Sequence, residues 1–125
     1  MEMVEVKVSE LSGAALDWAV AIAGAVTEVD NGLRFRRDGR PTVGGDFVIP
    51  YEPSVNWSQG GPLIEEHRIS LEDIGIGWIA SPRCCTTDKG SMEPQDSESL
   101  LIAACRAIVA AKLGETVSVP SEFLP

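Results

Sequence analysis

Residues 98–113 form an almost entirely apolar segment in which Glu98, Arg106 and Lys112 are the only charged residues. Its length and alanine content predict a helix. Asp96 or Ser97 is positioned to cap the start, Lys112 complements the dipole at the other end, and Gly114 ends it. A helix with so narrow a polar stripe must be covered by other protein surface on most of its sides.

A second segment, residues 12–24, has the same character, since Asp17 is its only charge. It predicts another helix, with Ser9 or Ser12 as its N-cap and Gly24 at its end. Two such helices can be wrapped by a sheet within one protomer or can pack against another subunit. A chain of this size has few layers for complete wrapping, so we favour the interface and expect a homo-oligomer, most simply a dimer.

Isolated charges on apolar helices need partners, because burial of an unpaired charge costs several kcal/mol. Asp17 and Arg106 are the two such charges. We therefore expect them to approach each other or to share a buried polar site.

The remaining sequence favours strands and turns. Val4, Val6 and Val8 alternate with polar residues, as do residues 116–119, which predicts a strand near each end. Further predictions are a hairpin of 26–29 and 33–36 around Asn31-Gly32, a short strand at 47–49, weaker strands at 63–64 and 76–80, and a polar loop over 86–96. The expected fold is a single α+β domain, residues 1–125, with a small antiparallel or mixed sheet and two main helices, at about 12–24 and 97–113.

The charge of the chain limits its partners. With 19 acidic and 10 basic residues the net charge is −9, which argues against binding to long nucleic acids. Residues 34–40 are an exception. This segment contains one acidic residue and four basic ones, Arg34, Arg36, Arg37 and Arg40. This basic segment could hold a small anion.

Cysteine content and hydropathy point to the cytoplasm. Three cysteines, two of them adjacent, do not make a disulfide framework. The acidic N-terminal residues do not resemble a signal peptide, and the apolar tract 13–26 is too short to span a bilayer. We expect a cytoplasmic protein that does not associate with membranes.

The usual groups of catalytic and metal sites are scarce. His67 is the only histidine and lies in a charged run that is typical of a solvated surface. Cys84, Cys85, Cys105 and His67 do not have the spacing of zinc ligands, and no phosphate-binding glycine motif occurs. The sequence therefore predicts no metal, no cofactor and no enzymatic activity. A hydrolase that uses carboxylates is the weaker alternative.

Residues 51–64, Tyr-Glu-Pro-Ser-Val-Asn-Trp-Ser-Gln-Gly-Gly-Pro-Leu-Ile, predict an unusual loop. Trp57 offers a stacking surface, Asn56 and Gln59 offer hydrogen bonds, and a Gly-Gly pair permits close approach to the backbone. The alternative is that Trp57 fills a gap in the core. The predicted ligand is small, anionic and nucleotide-like, and the candidate site comprises Tyr51, Asn56, Trp57, Gln59, Gly60, Gly61, Arg34, Arg36, Arg37, Arg106 and Asp17.

Three blocks of this sequence, residues 16–21, residues 53–62 and residues 101–106 with 111–114, resemble the NinX-like phage proteins. Asn56 stands where that resemblance leads us to expect an acidic residue. The resemblance implies an accessory protein that acts in the cytoplasm of a bacterial host. Such proteins often counter host defence, which suggests a sponge that holds a nucleotide-derived immune signal without cleaving it. The alternative is a module that inhibits a host enzyme by masking it.

Overall fold

The computed structural model describes residues 2–23, 34–35, 37, 39–43, 49–82 and 94–124; of Arg34 it describes the backbone alone. These residues form an α+β fold, as the sequence predicts. In chain order the elements are β1 (Met3–Lys7), α1 (Gly13–Ile22), β2 (Arg34–Phe35), β3 (Pro41–Val43), β4 (Ile49–Pro50), α2 (Trp57–Glu66), β5 (Ile69–Asp73), β6 (Trp78–Pro82), β7 (Gln95–Ser97), α3 (Leu100–Leu113) and β8 (Thr116–Pro120). Short 3-10 turns cover Val8–Glu10 and Ser121–Phe123.

The strands in the described residues form three small antiparallel sheets rather than one. β1 pairs with β8, so that Val4 lies opposite Val119 and Val6 opposite Val117. The other two sheets have three strands each, in the orders β2-β3-β4 and β5-β6-β7. The predicted terminal strands are confirmed, because alternate residues of β8 face the core and the intervening ones face solvent.

Helix α3 is the centre of the core and contacts all three strands of the β5-β6-β7 sheet as well as α1 and α2. It begins two residues later than predicted: Ser99 is the N-cap, and its side chain accepts a hydrogen bond from the backbone of Ile102 at 3.4 Å. Asp96 and Ser97 do not cap it because they belong to β7, which pairs with β6. Gly114 ends the helix with a φ of +98°, as its position in the sequence predicts.

Both apolar helices are covered within one protomer. Nine residues of α3 are buried, and so are Ala15 to Ala21 of α1 except for the half-buried Trp18. The alternative of wrapping within one protomer therefore describes most of the residues on these helix faces. In the described residues, α3 packs against the β5-β6-β7 sheet and β8, and α1 packs against β3 and β8. Oligomerisation stays a prediction that these faces no longer support.

The structure differs from several of the local predictions. Leu63 and Ile64 lie in α2, not in a strand, and the segment 51–64 is a turn followed by this helix rather than a loop. The strand predicted at 76–80 is β6, which begins at Trp78. Of the predicted hairpin, Arg34 and Phe35 form β2, which pairs with β3, while residues 26–33 lie outside the described residues. So do residues 47–48 and 86–93.

Candidate functional site

A cavity of about 290 Å³ lies between the first turns of α1, strands β3 and β4, and the turn at residues 51–55. Apolar wall surface comes from Ala14, Pro41, Pro50 and Val55. The polar lining residues are Asp17, Arg40, Thr42, Tyr51 and Glu52. This size and composition suit part of a small organic molecule, because ligand sites are mostly apolar with a few placed polar groups.

Asp17 is the buried charge of this cavity, with 6% of its surface exposed. Helix α1 directs it towards the 51–55 turn, where its Oδ1 accepts a hydrogen bond from the backbone N–H of Ser54 at 2.9 Å. Burial raises the pKa of Asp17 from 3.8 to about 6; the Glu52 carboxylate adds to the rise, and hydrogen bonding from Ser54 opposes it. The Ser54 hydroxyl lies close enough to lower the pKa of Asp17. Its distance and angles do not meet the criteria for a hydrogen bond.

Tyr51 lies next to Asp17 and is 5% exposed. Its buried hydroxyl has no hydrogen-bond partner among the described residues. Burial raises the pKa of this phenol, and the nearby Cys105 and Asp17 add to the rise. Burial also raises the pKa of the Cys105 thiol, so Cys105 stays protonated and is not an activated nucleophile.

Gln59 does not line the cavity but holds its wall in place through two hydrogen bonds to the backbone. Its Oε1 accepts a hydrogen bond from the Glu52 backbone N–H at 2.6 Å, and its Nε2 donates to the Pro50 carbonyl at 2.9 Å. These two bonds hold the chain on both sides of Tyr51. Gln59 was predicted to contact the ligand, but the structure uses both ends of its amide to position the wall.

Asn56 and Gly60 also have structural roles that the sequence prediction missed. Asn56 is the N-cap of α2, and its Oδ1 accepts from the Ser58 backbone N–H at 3.0 Å. Gly60 lies so close to the Pro53 carbonyl that a Cβ could not be accommodated. Neither residue lines the cavity. Gly61, the other predicted glycine, lies within α2 and faces no crowded surface.

Trp57, the first residue of α2, is 58% exposed and does not line the cavity. The alternative that it fills a gap in the core is therefore wrong. The structure also separates it from the cavity wall formed by Tyr51 and Val55, six and two residues before it respectively.

We expect Trp57→Ala to change the free energy of unfolding by less than about 1 kcal/mol, because a mostly exposed side chain gives up little buried area. Thermal melting measures this directly. A loss of roughly 3–5 kcal/mol, the usual result for a core tryptophan, would contradict the exposed position.

Arg34, Arg36 and Arg37, the arginines of the basic segment that were predicted as site residues, are not among the described residues that line the cavity, whereas Arg40 of the same segment is. Arg40 lines the cavity, and its guanidinium lies 5.9 Å from the centre of the Phe123 ring. Arg37 is exposed, whereas Arg36 and the side chain of Arg34 lie outside the described residues. Arg40 belongs to the basic segment found in the sequence, but the cavity brings it together with two carboxylates, which composition alone could not indicate.

Arg106 does not line the cavity and instead bonds to the backbone in another part of the fold. Its Nε donates to the Leu11 carbonyl and its Nη1 to the Asp96 carbonyl, both at 2.7 Å. Burial lowers the pKa of Arg106, and the nearby Asp96 carboxylate opposes this. The expectation that Arg106 and Asp17 share one polar site is corrected, because backbone groups in two separate places satisfy them.

The described residues contain no cluster of three or more histidine, cysteine, aspartate or glutamate side chains that could hold a metal ion. His67, half-buried, lies just beyond the C-terminal end of α2. None of the helices in the described ranges has the length and apolarity that crossing a membrane requires.

Comparison with known proteins links the chain to one family. A family model described as "Bacteriophage P22, NinX" matches residues 7–112, which include α1, the cavity wall at 50–55, α2 and most of α3. A search among curated proteins gave no match. Because the family model covers most of the chain, the protein belongs to the bacteriophage P22 NinX family.

Proposed function

We propose that this protein is a non-catalytic accessory protein that captures a small nucleotide-like molecule in the cavity at Asp17. The observation that carries the proposal is the buried carboxyl group in the wall of a 290 Å³ cavity. A buried carboxyl with a raised pKa reduces the stability of the fold at neutral pH. Such a group is more often found at a functional site than elsewhere.

The cavity has the parts that a nucleotide-like ligand needs. Its proline, alanine and valine surfaces suit the faces of a flat ring, and Asp17 and Thr42 provide polar contacts along the wall. Arg40, which is exposed, provides a positive charge for a phosphate outside. The net charge of −9 disfavours a long polyanion but is compatible with a ligand that carries few charges.

Membership of a phage family supports the biological side of the proposal. A protein that binds a host signalling nucleotide and leaves it intact would lower the free concentration of the signal. That action needs neither a nucleophile nor a metal, and the buried, protonated Cys105 does not provide the first. In this role the protein acts in the cytoplasm of the infected cell.

The test is to purify the protein from bacterial extract, denature it and identify what is released by mass spectrometry. We expect an intact nucleotide-like compound in an amount close to that of the protein. A protein of similar charge, purified in the same way, is the control for carry-over. A converted product would contradict the proposal and favour a hydrolase, since Asp17 and Glu52 line the same cavity.

A second candidate function is the masking of a host enzyme. Val55 and Trp57 are 64% and 58% exposed and lie close together in sequence at the start of α2. Exposed apolar side chains of this size suit a protein contact, and the acidic surface could pair with a basic partner. Recovery of no small molecule in the same experiment would favour this function over ligand capture.

A further inference from the structure

The charged side chains of the cavity lie at different depths, and the charged groups of a ligand have to match these positions. Asp17 is almost fully buried, whereas Arg40 and Glu52 are exposed. An anionic group placed against the buried wall would meet the Asp17 carboxyl and be repelled. A phosphate is better placed outside, beside Arg40, where water also solvates it.

Asp17 places a hydrogen-bond acceptor in the buried wall. Among the described residues, the hydrogen bond recorded to Asp17 comes from the Ser54 backbone and goes to Oδ1. The other carboxylate oxygen, Oδ2, would accept from a ligand in the cavity, although the Ser54 hydroxyl also lies close to this carboxyl group. Hydrogen bonds to an ionised carboxylate are stronger than those between neutral groups, and burial strengthens them further.

We propose that the cavity receives the ring of a purine nucleotide through an edge with two adjacent N–H donors, as in guanine, and leaves its phosphate beside Arg40. This inference rests on the proposed function. Guanine presents a ring N–H and an amino group side by side, which suits a carboxylate acceptor. Adenine presents an acceptor nitrogen beside its amino group, and that nitrogen would face Asp17 with its lone pair.

The polarity of the wall predicts a selectivity that calorimetry can measure. At pH 7.5 we expect guanosine monophosphate to bind at least about tenfold more tightly than adenosine monophosphate, because an unpaired buried polar group penalises the wrong ligand. Inosine monophosphate, which keeps the ring N–H but lacks the amino group, should lie between them.

Asp17→Asn provides the matched variant. The amide keeps an oxygen for the Ser54 N–H and replaces the second acceptor with an NH₂ donor. We expect this variant to lose the preference for guanosine over adenosine monophosphate. Trp57→Ala, which leaves the cavity lining intact, should keep it.

The possible outcomes test the guanine-type edge and the proposed function separately. Equal affinities, or tighter binding of adenosine monophosphate, would overturn the guanine-type edge. No binding of any of the three nucleotides would overturn it too. In these cases the proposed function stands if the extraction experiment still releases an intact nucleotide-like ligand, and falls if it does not.

Discussion

Asp17→Asn is expected to raise the free energy of unfolding at pH 8 by about 2–3 kcal/mol, although it removes a hydrogen-bonded carboxylate. The carboxyl is 6% exposed, and its pKa rises from 3.8 to about 6 on folding. Each pKa unit corresponds to about 1.4 kcal/mol between the two protonation states. The neutral asparagine avoids this cost and keeps the hydrogen bond from Ser54. Its Tm should rise by roughly 10 °C.

The sign of this effect depends on pH in a defined way. Because the folded pKa of Asp17 is the higher one, the folded state binds the proton more tightly, and stability from Asp17 falls as pH rises from about 4 to about 6. Ser54 and Glu52 act on the pKa of Asp17, and Asp17 in turn raises the pKa of Tyr51 and of Cys105. All of them remain in the variant, so the difference between the two proteins isolates Asp17.

Urea unfolding of both proteins between pH 4 and pH 8 measures this difference. We expect it to be small at pH 4, to grow through pH 5–6 and to be constant above pH 7. A difference that does not vary with pH, or an Asn variant that is less stable at pH 8, would show that Asp17 is not held as a destabilised acid.

Gly60→Ala and Gly61→Ala should have opposite effects, although the two glycines are neighbours in α2. A Cβ at Gly60 would collide with the Pro53 carbonyl and lie 2.8 Å from Cδ2 of Leu101. We expect a loss of about 1–3 kcal/mol in the free energy of unfolding, since a backbone carbonyl cannot move aside cheaply. At Gly61 the nearest atom would be Cε3 of Trp57 at 3.8 Å, an ordinary contact. Alanine there should add about 0.5–1 kcal/mol.

The two variants control for each other, because both replace a glycine by an alanine in the same helix. Chemical denaturation gives both free energies. If Gly60→Ala were as stable as Gly61→Ala, the close packing of α2 on the Pro53 carbonyl would be wrong, and with it the account of how the cavity wall is supported.

The fold was predictable where the sequence pattern is local. Alternating valines identified β1 and β8, and the uninterrupted apolar run identified α3. Helix α2 was missed because Gly60, Gly61 and Pro62 are all poor helix formers, yet Asn56 caps it and Leu63 anchors it in the core. Tertiary contacts overrode intrinsic propensity here. The covering of the helices was also missed, since it depends on how separate sheets pack against them, and one of these sheets pairs β1 with β8 from opposite ends of the described chain.

The candidate site was predictable in part. Asp17 stood out as a single charge in an apolar helix, and it is the buried charge of the cavity. Tyr51 also lines the cavity as predicted. Asn56 and Gln59 were misinterpreted because an amide that bonds a ligand and an amide that bonds the backbone look the same in a sequence. The structure shows that both bond the chain itself.

Ala14→Leu tests most directly whether the cavity is the binding site. Ala14 lines it from α1 and is partly exposed, so a larger side chain there fills the cavity without entering the core. Wild type, Ala14→Leu and Trp57→Ala would be purified from the same extract, and the small molecules released on denaturation compared. We expect the same ligand from wild type and Trp57→Ala, and a loss of at least about tenfold from a folded Ala14→Leu protein. Undiminished release from Ala14→Leu, with a loss from Trp57→Ala, would contradict this expectation and move the site to the exposed face of α2.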